Sequence, residues 1–454
     1  MFRVAKLLDR SIDLWKRLLA NDILSSKNTS SRTAMKTWLL AHIDTKALES
    51  FRKVVKHAVR AILFFVVAIT VKPLVLALRV ICSIRIGYFT SSRIGHFALD
   101  IAWYLATKEK EEPVRKYVDL FFLEPITSND ALEILVRRKI RAIRVSRRLY
   151  QILTSSPALE NCLLQPARNT QGSRHPDDRV FRAKETLSFS KEENTAGWRY
   201  LSKYNISKTS QIICLMVRDG EYLRQANKEK GLFRGTSYHD YRNADIEAYV
   251  ETAEYLAKKG YVVFRMGKYM EQPLVSTHPN VVDYAFSDDR CDLLDIWLMA
   301  NCGFCISTGT GLDAIATIFK RPTVYVDLLP LGDLWSSQHC ITVPKKLNWT
   351  ASGRLLSVHE YMEHNHQSSE GYSSNGIEVN ALTSREILAA VTEMEQRLNS
   401  AWEGSDDDDR RQTQFWEMFR SSPSFSQNHE WINPKAIAGT KFLFEHQQEF
   451  LLKR

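Results

Sequence analysis

The apolar and polar positions of this chain fall into three regimes. Over residues 1–22, Val4, Leu8, Ile12, Trp15 and Leu19 recur every three or four positions with Lys and Arg between them. That spacing predicts a basic amphipathic helix, able to lie on an anionic membrane or to pack on the body of the protein. The most apolar stretch follows at 61–78, AILFFVVAITVKPLVLAL. It approaches the ~20 residues of a spanning helix. Lys72 and Pro73 interrupt it, however, and Arg52, Lys53, Lys56, Arg60 and Arg79 flank it. A charge at mid-bilayer is costly and proline breaks the helix, so an interfacial or re-entrant hairpin is expected, with a buried core helix as the alternative. The N-terminus lacks the compact apolar core and small-residue cleavage site of a secretory signal.

From residue 84 the pattern changes to short apolar strands alternating with helical periods. IRIGYF (84–89), YVDLFFL (117–123) and IRAIRV (140–145) read as strands, separated by helices through FALDIAWYLA and ALEILVRRK. Residues 155–205 are rich in Pro, Gly, Asn and charge and read as a long connection. A second series begins with QIICLMV (211–217). It continues through a helix at about 244–259 and the strands YVVFRMG (261–267), NVVDYAF (280–286), GFCIS (303–307) and TVYVDL (323–328). A Gly/Ser-rich loop is expected at 367–376, helices at 382–399 and 411–420, and a solvated linker at DDDD (406–409). Strand–helix–strand order on both sides of the connection implies the α/β class, with two Rossmann-like parallel-sheet domains behind a helical, apolar and basic N-terminal extension.

Charge sharpens this division. The chain carries a net +10, yet residues 1–150 hold an excess of 15 positive charges and the remainder an excess of 5 negative ones. A basic front implies an anionic partner: phospholipid, a phosphorylated lipid acceptor or nucleic acid. No basic patch with interleaved aromatics or recognisable reading motif supports nucleic acid. The seven cysteines lack framework spacing and sit in apolar runs such as IICLMV and CGFCIS, as reduced, buried side chains do. Cys302 and Cys305 form a lone C-x-x-C without a completing pair, so no metal site is expected.

Ligands of parallel α/β sheets sit at the carboxyl ends of the strands. There the second series places Arg218 and Asp219, Arg265 and Gly267, the run SDDR (287–290), and the small-residue loop Ser307, Thr308, Gly309, Thr310 and Gly311. Arginines hold phosphate oxygens bidentately, and glycine-rich turns before helices present backbone N–H groups to anions. Together they predict a diphosphate site, with Arg218 and Arg265 in one pocket with the loop. Arg218 paired with Asp219, merely holding a loop, is the alternative. The loop lacks the fuller mononucleotide and dinucleotide fingerprints. Arg242 and Asn243 close the polar run SYHDYRN ahead of a helix, and Asn243 could equally serve as its N-cap. In the first series Arg93, Gly95 and His96 follow a strand. His96 is a possible general base, with Glu124 and Asp100 as rivals.

SSRIGHFALD, DLFFLEPITSN, YRNADIEAYVETAEYLAKKGYVVFRMG, the segment from VVDYAF through STGTG to DLLPLG, and GIEVNALTSREILAAVTEME together resemble a family of bacterial surface-polysaccharide glycosyltransferases. The resemblance spans roughly residues 84–398. It implies a GT-B architecture, with an activated sugar-nucleotide held mainly by the second domain. The loop carries Thr310 where the family usually has Ser, and the hydroxyl is retained. The expected organisation is an extension at 1–80, an acceptor domain at 81–207, a donor domain at 208–400 and a helical tail at 401–454. The expected activity is glycosyl transfer without cofactor or metal, from a nucleotide-sugar to a surface glycan or lipid-linked acceptor. The expected location is the cytoplasmic side of the inner membrane, on an anionic surface and without nucleic acid. A non-catalytic membrane-associated scaffold of the same fold is the alternative, and a nucleic-acid-binding protein a more distant one.

Overall fold

The computed structural model describes residues 83–454 except 111–116, 155–161, 165–176, 185–186, 209–210, 231–236, 424 and 453–454, with isolated positions before residue 83. The chain divides into two compact units, Met1–Ala77 and Leu78–Arg454. The amphipathic helix expected at 1–22 and nearly all of the apolar run at 61–78 lie outside the described residues. Among the described residues, no helix is long and apolar enough to cross a membrane.

The second unit holds two separate parallel sheets, the α/β arrangement expected of a GT-B architecture. The smaller has the order β1 (Ser83–Phe89), β2 (Tyr117–Leu123), β3 (Ala142–Arg144), all parallel. Helix α1 (Ile94–Lys110) makes the β1–β2 crossover and α2 (Asp130–Arg137) the β2–β3 crossover. Asn129 caps α2 by accepting from Leu132 N–H at 2.8 Å. Helix α3 (Arg147–Thr154) lies on the face bearing Tyr88 and Phe122, with the Tyr150 ring 4.9 and 5.7 Å from theirs. The chain then returns to the free side of β1 through a parallel bridge between Ile86 and Leu163.

The larger sheet has seven strands in the order β12-β9-β8-β7-β4-β5-β6. They are β4 (Ile212–Met216), β5 (Val262–Arg265), β6 (Val281–Val282), β7 (Phe304–Ser307), β8 (Thr323–Leu328), β9 (Cys340–Pro344) and β12 (Ala436–Ala438). Every pairing is parallel. The inner strands are continuous buried runs, as sheets covered on both faces require. A two-stranded antiparallel ribbon, β10 (Lys346–Trp349) and β11 (Ile377–Asn380), stands apart. The covering helices include α4 (Lys191–Leu201), α5 (Glu221–Lys230), α6 (Val250–Lys258), α7 (Asp292–Asn301), α8 (Asp313–Ile318), α9 (Ser384–Leu398), α10 (Asp406–Ser421) and α11 (Thr440–Phe450).

Several local expectations change. The DDDD run is the first turn of α10, where Ser405 caps the helix and four carboxylates face the positive end of its dipole. The expected Gly/Ser-rich loop contains a short helix at Ser369–Ser374, capped by Ser368. Only Val281–Val282 of 280–286 pairs as a strand. The C-terminal segment adds β12 to the edge of the large sheet, beside the helices expected of it.

The strand order sets the site. From β4 the chain winds outward through β5 and β6, then returns to the other side of β4 as β7 and continues through β8 and β9. The loops after β4 and β7 therefore diverge, leaving the crevice where ligands of such sheets sit. The smaller sheet closes on this crevice. Asn129 Nδ2 donates to the Asp292 carbonyl at 2.9 Å, and Asp130 N–H donates to the Asp292 carboxylate at 2.7 Å. Gly95 and Gly311 meet backbone to backbone. A Cβ on Gly95 would stand 3.2 Å from the Gly311 Cα, so a side chain would push the two loops apart.

Candidate functional site

A cavity of about 520 Å³ fills the crevice between the two sheets. That is the size of a nucleotide or drug-sized ligand site. The smaller sheet's domain contributes Arg93 from the β1–α1 turn, Gly95 and His96 from the first turn of α1, and Ser128 and Asn129 immediately before α2. The larger sheet contributes Arg218 and Asp219 after β4, Tyr238, His239 and Arg242 from the 3₁₀ turn, Gly267 through Met270 after β5, and Thr310 and Gly311 after β7. None of the described residues between 155 and 208 lines it.

One part of the cavity wall gathers three guanidiniums, those of Arg93, Arg218 and Arg242, while Asp219, Asp295, Asp313 and Asp333 line other parts. Burial, and then the Arg242 charge, hold the Arg218 guanidinium down to about 10. Its buried Nε meets no hydrogen-bond partner, and no carboxylate among the described residues forms an ion pair with it. Asp219, the partner allowed from sequence, accepts instead from Glu221 N–H at 3.0 Å and Glu271 N–H at 2.8 Å. Arg242 donates to the Gly309 carbonyl. His239 is held down to about 4, by burial first and then by Arg242, Arg218 and Arg93. A neutral imidazole thus stands among three guanidiniums.

The small-residue loop is held from behind. Ser307 and Thr308 are buried. The Asp313 carboxylate accepts from Ser307 Oγ and from Thr310 N–H, both at 2.8 Å. Ser307 Oγ accepts from Gly309 N–H at 3.0 Å, and Thr308 Oγ1 accepts from Arg218 N–H at 2.9 Å. Gly309 adopts φ +77°, a conformation suited to glycine, and a Cβ there would meet Leu328 at 2.8 Å. Within the loop only Thr310 and Gly311 reach the cavity; Ser307, Thr308 and Gly309 shape it.

Arg265 does not line the cavity. It is the last residue of β5, only 1% exposed, and it donates to the Gln272 carbonyl at 3.0 Å and to the Asp283 carboxylate at 3.4 Å. Its charge holds the segment 267–274 that carries Lys268, Tyr269 and Met270. Asp219 tethers the same segment at Glu271. Asn243 also stays outside, its amide donating to Asp240 at 3.0 Å and its carbonyl accepting from the buried Lys345. Nor does Asn243 cap the following helix; Asp245 does, accepting from Glu247 N–H at 3.0 Å.

Of the proton-transfer candidates, His96 lines the cavity, whereas Asp100 is fully buried and Glu124 accepts from Ser92 N–H at 2.8 Å. Sequence reading missed other lining residues. Asp295 on α7 sits against Arg290 at 2.6 Å, with burial pushing its carboxyl up to about 6. Asp333 and Trp335 come from the loop after β8, braced by buried His429, whose ring contacts Ser336 Oγ at 2.8 Å and the Gly332 carbonyl at 2.9 Å. Tyr222 and Tyr269 stack at 6.2 Å on one wall. Tyr222 follows a predicted strand end; Asp295, in mid-helix, carried no comparable signal. Among the described residues, no group of three or more His, Cys, Asp or Glu is placed to hold a metal ion.

No family model matches this sequence, and no curated protein does. Solved structures resemble it more distantly. A glycosyl transferase of family 9 from Veillonella parvula aligns at TM-score 0.44 and 11% identity, over 70% of this chain and 98% of its own. Escherichia coli ADP-heptose lipopolysaccharide heptosyltransferase II aligns at TM-score 0.35 and 13% identity, over 57% and 90%. E. coli heptosyltransferase WaaC with ADP aligns at TM-score 0.35 and 12% identity, over 70% and 99%. Likeness at this level carries no inference about activity.

Proposed function

We propose that this protein is a glycosyltransferase that binds a nucleotide-sugar in the crevice between its sheets and passes the sugar to a glycan or lipid-linked acceptor. The observation that carries the reading is the cluster of Arg93, Arg218 and Arg242 around neutral His239, at the switch point of a parallel sheet. A diphosphate answers that cluster, since its oxygens accept the guanidinium forks. Its charge grows as the glycosyl bond breaks, so fixed cations stabilise the transition state more than the bound donor. In this mechanism Arg218 and Arg242 neutralise the leaving group, and Thr310 and Gly311 present the loop to it. No cofactor or metal is invoked. Arg265 and Asp219 act as positioning residues for 267–274, and the buried loop hydroxyls keep Thr310 and Gly311 in place.

His96, on the wall contributed by the smaller sheet, is the proposed general base for the acceptor hydroxyl. The acceptor then occupies the side belonging to the domain proposed at 81–207, and the donor the side belonging to 208–400. The basic extension at 1–80 serves as the anchor on the cytoplasmic face of the inner membrane. A screen of nucleotide-sugars by calorimetry, followed by turnover assays with the donor that binds, tests the reading. Donor binding with turnover that falls at least about 10²-fold in Arg242→Ala is expected. Absence of binding by any nucleotide-sugar would refute it, and binding without turnover on any acceptor would favour the non-catalytic scaffold.

A further inference from the structure

The loop between β8 and β9 is held at two points by a single imidazole from the C-terminal tail. His429 is only 3% exposed and follows the short helix Phe425–Asn428, where its N–H donates to the Phe425 carbonyl at 2.8 Å. The rings of Phe419 and Phe425 pack at 5.1 and 5.3 Å from its own. Nε2 lies 2.9 Å from the Gly332 carbonyl, which can only accept, so that nitrogen carries a proton. Nδ1 lies 2.8 Å from Ser336 Oγ. The same stretch of tail adds two bonds to Ser336. Its hydroxyl reaches the Trp431 carbonyl at 3.1 Å, and its carbonyl accepts from Asn433 N–H at 2.7 Å. On the amide side of Gly332, Asn365 Oδ1 accepts from its N–H at 3.1 Å. A Cβ on Gly332 would stand 2.7 Å from that oxygen, so a side chain there would push Asn365 away.

The clamp falls on both sides of the pair that faces the cavity. Gly332 immediately precedes Asp333, and Ser336 immediately follows Trp335; Asp333 and Trp335 both line the cavity. Surface connections are ordinarily the mobile part of a fold, and holding one in a single conformation costs chain entropy. Here residues about a hundred positions downstream supply the bonds that hold it. The wall so held differs in chemistry from the arginine cluster. A carboxylate accepts from hydroxyls and repels phosphate, whereas guanidiniums take phosphate oxygens. The Trp335 indole, stacked at 6.1 Å on Tyr325, adds an apolar surface beside the carboxylate. This wall therefore suits the neutral, hydroxyl-bearing part of a ligand whose anionic part lies against the arginines.

We propose that His429 is a positioning residue for ligand binding: by gripping Gly332 and Ser336 it sets the Asp333–Trp335 wall, which takes a hydroxyl-bearing part of the nucleotide-sugar. The choice of ligand rests on the glycosyltransferase reading; the clamp rests on its own geometry. The full chain is tested as wild type, as His429→Phe, which keeps an aromatic ring and loses both nitrogens, and as His429→Gln, which can serve only one end. In the ligand-free protein, amide exchange at 332–336 should be at least about tenfold faster in His429→Phe, and faster by a smaller factor in His429→Gln. Calorimetry with inorganic pyrophosphate, and with the nucleotide-sugar that binds wild type best, then reads the two walls separately. His429→Phe should weaken the nucleotide-sugar about tenfold and leave pyrophosphate within about twofold of wild type. In an Asp333→Ala/Trp335→Ala background the same substitution should cost little more, because the groups it acts through are gone. Thr440→Val, which breaks the tail's 2.6 Å bond to Glu393 away from this loop, should lower the melting temperature and leave both affinities unchanged. Should His429→Phe fail to fold, Ser336→Ala carries the same test. Equal weakening of both ligands, undiminished nucleotide-sugar binding, or losses that simply add in the triple variant would overturn the proposal. A wild type that binds pyrophosphate but no nucleotide-sugar would defeat the glycosyltransferase reading and the ligand named here with it, while amide exchange would still decide whether His429 holds the wall.

Discussion

Replacing Arg218 by methionine should stabilise the empty protein while removing its response to nucleotide. The guanidinium is held down to about 10, more than two units below its ordinary value, chiefly by burial and then by Arg242. At about 1.4 kcal/mol per tenfold change in proton affinity, its charged form lies roughly 3 kcal/mol above the solvated state. The sign follows from linkage. The unfolded chain binds the proton more tightly, so the full cost is present at every pH below about 10 and is relieved only as pH rises beyond it. Water in the open cavity recovers part of this cost, and methionine fills much of the same volume, leaving an expected gain of ~1–3 kcal/mol. Thermal unfolding should therefore show the variant melting a few degrees above wild type, about 2–5 °C. A bound nucleoside diphosphate at a hundredfold excess over its Kd should raise wild-type stability by about 2.7 kcal/mol, and should do far less for the variant. A variant that melts at or below wild type, and that nucleotide still protects equally, would refute the argument that this charge waits for an anion.

Gly197→Ala would place a Cβ 2.2 Å from the indole of fully buried Trp297, which Asn194 already holds at 3.0 Å, so denaturant unfolding should show a loss of about 1–3 kcal/mol or more. Arg265→Leu should lower stability by about 3–5 kcal/mol, because Asp283 and the Gln272 carbonyl lose their buried partner; an effect on turnover with unchanged melting would instead place Arg265 at the substrate. His239 and His339 are both held down to about 4, His339 by burial first and then by Lys435 and Arg397. Their contribution is whole above the ordinary 6.5 and is lost as pH falls from there through about 4, where the unfolded chain binds the extra protons. Urea titrations across that window should show a shallower decline for His339→Gln than for wild type, and superimposable curves would contradict the assignment.

The alternation of apolar runs and helical periods was enough, without coordinates, to give the α/β class, both parallel series and most strand positions, because burial on both faces writes itself into local sequence. It also brought Arg93, His96, Arg218 and Gly311 to notice, since each follows a strand. What lay beyond it was direction and order. Arg265 and Arg218 looked equivalent, yet β5 pairs through Arg265 itself while β4 stops at Met216. One arginine is therefore turned into the packing around Asp283 and the other released into the crevice. The return of β7 to the free side of β4 creates that crevice, and strand order depends on pairings between residues some ninety positions apart. Asp295, Asp333 and Trp335 reach the cavity only because α7 and the β8 loop pack there, and the Gly95–Gly311 contact exists only because two sheets close on one another. Local periodicity encodes which face of an element is buried; which elements meet across a site is settled by packing over the whole fold.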